Sequence, residues 1–304
     1  MSDKIKIVFL GTSASTPTKE RNLSSIAIRL EGEWLLFDSP EGTQRQIMKA
    51  KVSYLKINHV FISHFHADHF LGLAGLLATM NIHGRDWPIT IHGPKGIEQK
   101  TKTAISLAML NPNFEIKCEE NKTGKILEKE KYTVEAFPLK HEIETWGYCI
   151  KEKDKIGEFN RQKAIELGVP IGPLFRELQQ GKKVKIGTKT IKPEQVIDKT
   201  KARKGRKISI IFDTLPTKTH YKYTNDSDVL IHESSFLEER KDRAKETKHS
   251  TALDAGKIAK ETNSKLLVLF HLSARHKEKE KFENEARKEF NNVIVAEDLK
   301  EIEI

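Results

Sequence analysis

Between Ile57 and Met80 the chain gathers four side chains of the kind that hold transition metals: His64, His66, Asp68 and His69. Ahead of them Val60, Phe61 and Ile62 read as a buried strand, and a spacing of two at its end projects His64 and His66 to one side. Beyond them Phe70, Leu73, Ala74, Leu77 and Met80 recur at helical spacing. Asp68 and His69 therefore fall where strand gives way to helix. Neutral imidazoles with a carboxylate suit zinc, and less selectively iron or manganese. A single histidine near a strand end is usually just hydrogen-bonded. Donors clustered on both sides of one tight turn exceed what structure requires and favour a metal centre.

Further groups of this type stand at the ends of other apolar runs. Tyr132 to Leu139 alternates as a strand and delivers Lys140-His141. Ile208 to Phe212 ends on Asp213, Val229 to His232 runs into Glu233-Ser234-Ser235, and Leu266 to Phe270 ends on His271. These strand ends suggest one sheet edge that collects ligands. Taken singly, His271 or Asp213 would more often be structural. His249, beside Ser250 and Thr251, reads equally as a general acid or as a helix-start histidine next to its capping residues.

The remaining elements must place these ends. Lys4 to Leu10 is a strand, Ser24 to Leu30 and Trp34 to Phe37 form a hairpin around Glu31-Gly32, and Gln44 to Lys51 starts a helix. Ile89 to His92 and Phe114 to Lys117 are extended, Gly96 to Leu110 is helical, and Thr145 to Ile150 resumes extended structure. Ala252 to Thr262 is helical and Asn292 to Glu297 closes the pattern. Alternating strands and helices around two sheets imply an α/β protein.

Composition narrows the classes. The 304 residues, 37% hydrophobic and 32% charged, describe a lysine-rich globular chain that can bury one large core or two modest ones. No apolar run approaches the roughly 18 residues of a membrane span, and Ile7 to Leu10 is too short for a signal peptide's core. Two cysteines, Cys118 and Cys149, allow at most one disulfide, which fits a reducing cytoplasm. The net charge of +10 is concentrated: Lys151 to Lys207 holds 17 Lys/Arg against 7 Asp/Glu, an excess equal to that of the whole chain. Such a segment is either a solvated insertion or an electrostatic grip for a polyanion. Its inner Gly168-Val169-Pro170-Ile171-Gly172-Pro173-Leu174-Phe175 is too rich in Gly and Pro to be one helix.

The His-x-His-x-Asp-His stretch resembles the signature of the metallo-β-lactamase superfamily. That resemblance implies a four-layered αβ/βα sandwich, with 1–304 a single domain of this kind and 151–207 an inserted flexible arm. It also implies a ligand set in which His64, His66 and His141 hold one metal, Asp68, His69 and His271 a second, and Asp213 bridges them. Two cations about 3.5–4 Å apart can activate water and clamp both oxygens of an in-line displacement.

Other motifs are similar to those of the short-form tRNase Z family, across Ile7 to His271. Pro17-Thr18-Lys19-Glu20-Arg21-Asn22 resembles that family's Pro-x-Lys-x-Arg-Asn loop, and Asp38 to Gln44 its Asp-Cys-Gly-Glu-Gly-Thr-Gln turn, with Ser39 and Pro40 replacing Cys and Gly. His249-Ser250-Thr251 matches its His-Ser-Thr loop, and His232-Glu233-Ser234-Ser235 resembles its His-Glu-Ala-Thr loop. Phe212 precedes Asp213 where Gly is usual, which is expected to narrow the metal cleft. The resemblance implies a zinc-dependent endoribonuclease that removes the 3′ trailer from precursor tRNA, with two Zn²⁺ per chain (Mn²⁺ or Fe in their place) and a homodimeric, cytoplasmic state. It makes Asp68, His249 and Glu233 catalytic and places Lys19, Arg21 and Asn22 beside the substrate. Gly172 and Pro173 become the grip of a tRNA-binding arm. The competing readings are a phosphodiesterase for small substrates, which needs no basic arm, and an RNA-binding protein with an inactive site, which needs no intact ligand set.

Overall fold

Alternation along the strand Lys6–Gly11 decides the architecture. Val8 and Leu10 face a helix-covered core, whereas Phe9 faces the other way and meets Phe270 of a second sheet, ring centroids 6.0 Å apart. The structure, a computed structural model, describes residues 4–276 and 278–304. Its first large sheet has seven strands, in spatial order Glu301–Glu303, Lys6–Gly11, Ser25–Leu30, Glu33–Phe37, Ile57–Phe61, Ile89–Gly93 and Ile116–Glu120. Pairing is antiparallel as far as Glu33–Phe37 and parallel beyond it. The second sheet, also seven-stranded, runs Val293–Val295, Leu267–Phe270, Val229–Glu233, Lys207–Ile211, Thr145–Glu152, Tyr132–Leu139 and Gly124–Glu128, the first four parallel.

Helices Thr43–Lys49, Leu73–Ile82 and Ile97–Leu107 cover the first sheet, and Ala252–Glu261 with Lys279–Ala286 the second. Between the sheets lie Phe37, Tyr148, Phe212 and Phe270. Tyr148 is 5.5 Å from Phe37 and 6.4 Å from Phe212 by ring centroid, and its buried hydroxyl donates to the Ile62 carbonyl at 2.7 Å. Each such side chain contributes roughly 1.5–3 kcal/mol by burial. The result is the four-layered αβ/βα sandwich. Among the described residues no helix is long and apolar enough to cross a membrane.

The structure adds elements that the sequence expectations lack, the strands Gly124–Glu128 and Glu301–Glu303 and the helix Lys279–Ala286, and departs from them in three further places. The helical run after His69 is two pieces, Ala67–Phe70 and Leu73–Ile82. The cause is steric and remote: a Cβ on Gly72 would lie 1.8 Å from the Pro40 carbonyl oxygen, and the Gly72 N–H donates to the Ser39 carbonyl at 2.8 Å. Phe212 does not narrow the cleft. It is fully buried between the sheets and sets its edge against the His69 ring, centroids 6.1 Å apart. Nor does one sheet edge collect the ligand-type residues, which come from the ends of both sheets.

The chain divides into two compact units, the second made of Glu130–Thr133 and Lys151–Arg206. This basic unit has a core of its own: Ala164, Val169, Phe175, Leu178, Val184, Ile191, Val196 and Ile197. Helix Arg161–Glu166 starts at Asn160, whose side chain accepts the Lys163 N–H, and helix Pro173–Gln179 starts at Gly172 with Pro173 in its first turn. Gly172 has φ 151°, which a side chain would resist, and Ile171, Gly172 and Pro173 are all exposed. Glu152 anchors the unit's base, accepting both guanidiniums of Arg203 and Arg206 at 2.7–3.0 Å.

Candidate metal centre and active site

His64, His66, Asp68 and His69 lie just beyond the first-sheet strand Ile57–Phe61, and His141, Asp213 and His271 just beyond second-sheet strands. The fold brings all seven together. His64, His66, His141 and Asp213 offer donor atoms within 4.8 Å of one another, and so do Asp68, His69 and His271. Asp213 reaches both groups: its Oδ2 is 3.6 Å from His64 Nε2 and 3.5 Å from His69 Nε2, and its Oδ1 is 3.3 Å from His271 Nε2.

Hydrogen bonds behind the imidazoles assign their tautomers. His69 donates Nδ1–H to Asp38 Oδ2 at 2.6 Å. His141 donates Nδ1–H to the Lys248 carbonyl at 3.0 Å. Ser63 Oγ gives its proton to Asp38 and so accepts from His64 Nδ1 at 2.9 Å; Ser235 Oγ gives its proton to Glu233 and accepts from His271 Nδ1 at 2.9 Å. Four rings thus turn an Nε2 lone pair inward. His66 presents Nδ1 instead, 3.1 Å from His64 Nε2 and 3.4 Å from His141 Nε2. The inward Nε2 of His69 and of His271 and Oδ1 of Asp213 are buried without a hydrogen-bond partner. Buried polar atoms are rarely left so, and converging lone pairs with outward N–H groups held by oxygen are what a transition-metal site requires. The residues present fit a divalent-metal site.

The supporting shell costs backbone strain. Ser15, Asp38, Lys248 and His271 all take positive φ, between 55° and 58°, which is uncommon for residues other than glycine and gathers at functional sites. Each holds or is a donor: Ser15 gives its N–H to Asp68 Oδ2 at 2.8 Å.

Glu233, fully buried, accepts the N–H groups of Thr214, Ser235 and Ser250 at 2.8–3.1 Å and lies 3.2 Å from Nδ1 of His249. Burial pushes the His249 pKa down, yet the Glu233 carboxylate outweighs it and raises the imidazole to about 9. The His249 ring packs on those of His141 and His271, at 5.0 and 5.7 Å between centroids, at the edge of the donor set.

The Pro17–Asn22 loop folds beside Ser273 and His276. Arg21 donates to their carbonyls at 3.2 and 2.9 Å, and Asn22 Nδ2 donates to the Glu41 carbonyl at 3.1 Å, so both side chains hold the protein's own loops. Lys19 is exposed. Gly172 and Pro173 belong to the basic unit and are not part of this centre. Two supporting residues escape a reading of the sequence. Asp38 passes there for a turn residue, although Phe37-Asp38 repeats the apolar-strand-then-acid pattern of Phe212-Asp213. Asp298 accepts from Thr12 Oγ1 at 2.8 Å and the Asn22 N–H at 2.6 Å and so ties down the Thr12–Asn22 loop; nothing local in the sequence marks it.

Comparison with known proteins agrees with this picture. A family model described as the anti-Pycsar protein Apyc1 matches residues 5–148. The ribonuclease Z of Methanosarcina mazei is 44% identical over 301 residues, covering 99% of this chain and 98% of the relative. The crystal structure of human tRNase Z, short form, has a TM-score of 0.71 at 28% identity and covers 98% of each chain. That of the metallo-β-lactamase fold protein YhfI from Bacillus subtilis also scores 0.71, at 18% identity, covering 99% of this chain and 100% of the other. Fold and site together define a metal-dependent hydrolase of the metallo-β-lactamase fold, and its class of chemistry is that of a nuclease. The chain belongs to the ribonuclease Z family.

Proposed function

We propose that the protein is an endoribonuclease that removes the 3′ trailer from precursor tRNA, acting with two zinc ions per chain. Full-length identity to ribonuclease Z relatives, together with a complete seven-residue donor set, carries this reading. His64, His66 and His141 would hold one ion, Asp68, His69 and His271 the other, and Asp213 would bridge them. When bound, the ions supply Lewis-acid activation of water and neutralise charge on the phosphoryl oxygens.

The chain's own groups then have distinct tasks. Asp68, held by the Ser15 N–H and open toward the centre, accepts the proton of the attacking water. The new bond forms between that water's oxygen and phosphorus, and the bond from phosphorus to the ribose 3′ oxygen breaks. His249 gives its proton to the departing oxygen, leaving a 3′-hydroxyl on the tRNA and a 5′-phosphate on the trailer. Glu233 keeps His249 protonated and aimed. The exposed cations of the basic unit, Lys182, Lys183 and Lys185 among them, supply affinity for the tRNA backbone, with Gly172 and Pro173 part of that surface. Neither cysteine forms a disulfide, which accords with a cytoplasmic enzyme, and family resemblance supports a homodimer.

The experiment is zinc reconstitution followed by assay on a precursor tRNA with mapped ends. Two ions per folded chain and release of the intact trailer are expected. Less than one ion per folded chain, or no cleavage by the loaded protein, overturns the reading.

A further inference from the structure

A cleft of about 270 Å³ opens beside His249, its lining including Ser15, Thr16, Arg243, Thr247 and Arg275. It begins where the donor set ends, because Ser15 holds Asp68 and His249 packs on His141 and His271. Its chemistry differs from that of the centre. Among the described residues no carboxylate lines it; its polar groups are hydroxyls, the His249 imidazole and two guanidiniums. Arg275 is exposed and makes no side-chain ion pair among the described residues, and Arg243 pairs only with the exposed Glu246. Guanidinium forks are suited to phosphate, which they grip through two parallel N–H bonds. The volume lies just under the ~300 Å³ at which pockets take whole small ligands, which suits one sugar–phosphate unit better than a longer segment.

We propose that this cleft seats the nucleotide on the leaving side of the cut, with Arg243 and Arg275 gripping that nucleotide's own 5′ phosphate. The assignment rests on the reading of His249 above. If His249 protonates the departing ribose 3′ oxygen, the ribose that carries it lies against His249, on the cleft's side of the centre. The next anion along the strand is then one sugar away, and Arg243 and Arg275 are, besides His249, the cations that line the cleft among the described residues.

The test uses metal-loaded full-length enzyme and three precursor tRNAs, one unmodified and two with a single neutral methylphosphonate, placed either at the phosphate one nucleotide 5′ of the cut or at the phosphate one nucleotide 3′ of it. In the wild type the neutral linkage 5′ of the cut should lower kcat/KM about 10–100-fold, the range of a charge-assisted hydrogen bond. In the Arg243→Ala, Arg275→Ala double variant the unmodified substrate should already show that loss, and the methylphosphonate should cost nothing more. Arg275→Ala alone, at an exposed residue, should show a partial version of the same coupling even if the double variant folds poorly. An undiminished methylphosphonate penalty in the variants overturns the assignment. So does coupling that appears only when the neutral linkage lies 3′ of the cut, which would give the cleft to the trailer. Failure of the wild type to cleave the unmodified precursor overturns the endonuclease reading itself and this assignment with it.

Discussion

Asp38 Oδ2 stands 2.6 Å from Nδ1 of His69, and the same carboxylate accepts the N–H and the hydroxyl of Ser63, both at 2.7 Å. One buried acid therefore fixes the tautomer of His69 directly and that of His64 through Ser63. Asp38 reaches both ligand groups without belonging to either.

Asp38→Ala should consequently weaken metal binding without removing a ligand. Loss of an oxygen partner behind a metal-binding histidine typically costs 10–100-fold in affinity. Competition with a chromophoric zinc chelator measures it, with Asp298→Ala as a comparison that loosens the Thr12–Asn22 loop. Wild-type affinity in a folded Asp38→Ala protein would show that the carboxylate serves packing alone.

His249→Ala should leave metal content and tRNA affinity close to wild type and lower the cleavage rate by a factor on the order of 10² to 10⁴, the range for general acid–base catalysis. A phosphodiester with nitrophenolate as leaving group needs no proton and should recover most of the rate. Loss of a metal ion on substitution would instead make His249 a ligand, a role its nearness to Asp213 and His271 also permits.

Charge reversal at Lys182, Lys183 and Lys185, all exposed in the basic unit, should weaken tRNA binding and lower the slope of log affinity against log salt by about one for each phosphate no longer neutralised. Hydrolysis of bis(nitrophenyl) phosphate should be unchanged, since no donor of the metal centre lies in this unit. An unaltered salt slope would mean that these lysines merely solvate the surface.

Glu152 gives the basic unit a pH-dependent anchor. Burial alone would raise its pKa, but hydrogen bonds from Arg203 and Arg206 outweigh that and bring it from 4.5 down to about 2. The folded value is the lower one, so the stabilisation is complete above about 4.5 and is lost as pH falls toward about 2. Glu152→Gln should cost about 1–3 kcal/mol at neutral pH and flatten the acid limb of stability in that window. Limited proteolysis between Lys151 and Arg206 across the pH range reads this out; parallel acid curves for variant and wild type would reject it.

Part of the candidate donor set is written locally: His64, His66, Asp68 and His69 fall within six consecutive residues, whereas His141, Asp213 and His271 each merely end an apolar run, and only the family resemblance joined them to the first four. Which sheet each run joins was not legible, because a period of two identifies a strand and says nothing of its neighbours. The break at Gly72 was hidden for a similar reason, since the obstructing atom belongs to Pro40, distant in sequence. Phe212 was misplaced because an apolar residue beside a ligand can line a cleft or a core, and only the stacking of the two sheets decides. The basic segment's charge was plain from composition, but its own core, with Phe159 and Phe175 rings 5.0 Å apart, is assembled from short elements whose individual signals are weak.

That the donors arrive on two different sheets bears on how the protein assembles and how long it stays assembled. Neither sheet carries a complete set, so the centre can form only when the two have docked, and this brings together residues as far apart as His64 and His271. Contacts of such long sequence separation form late on a folding route. Stabilisation gained there is largely absent from the transition state and so acts on the rate of unfolding, with little effect on the rate of folding. Bound ions would then serve as a latch set after folding, lengthening the lifetime of the native state by opposing the parting of the sheets.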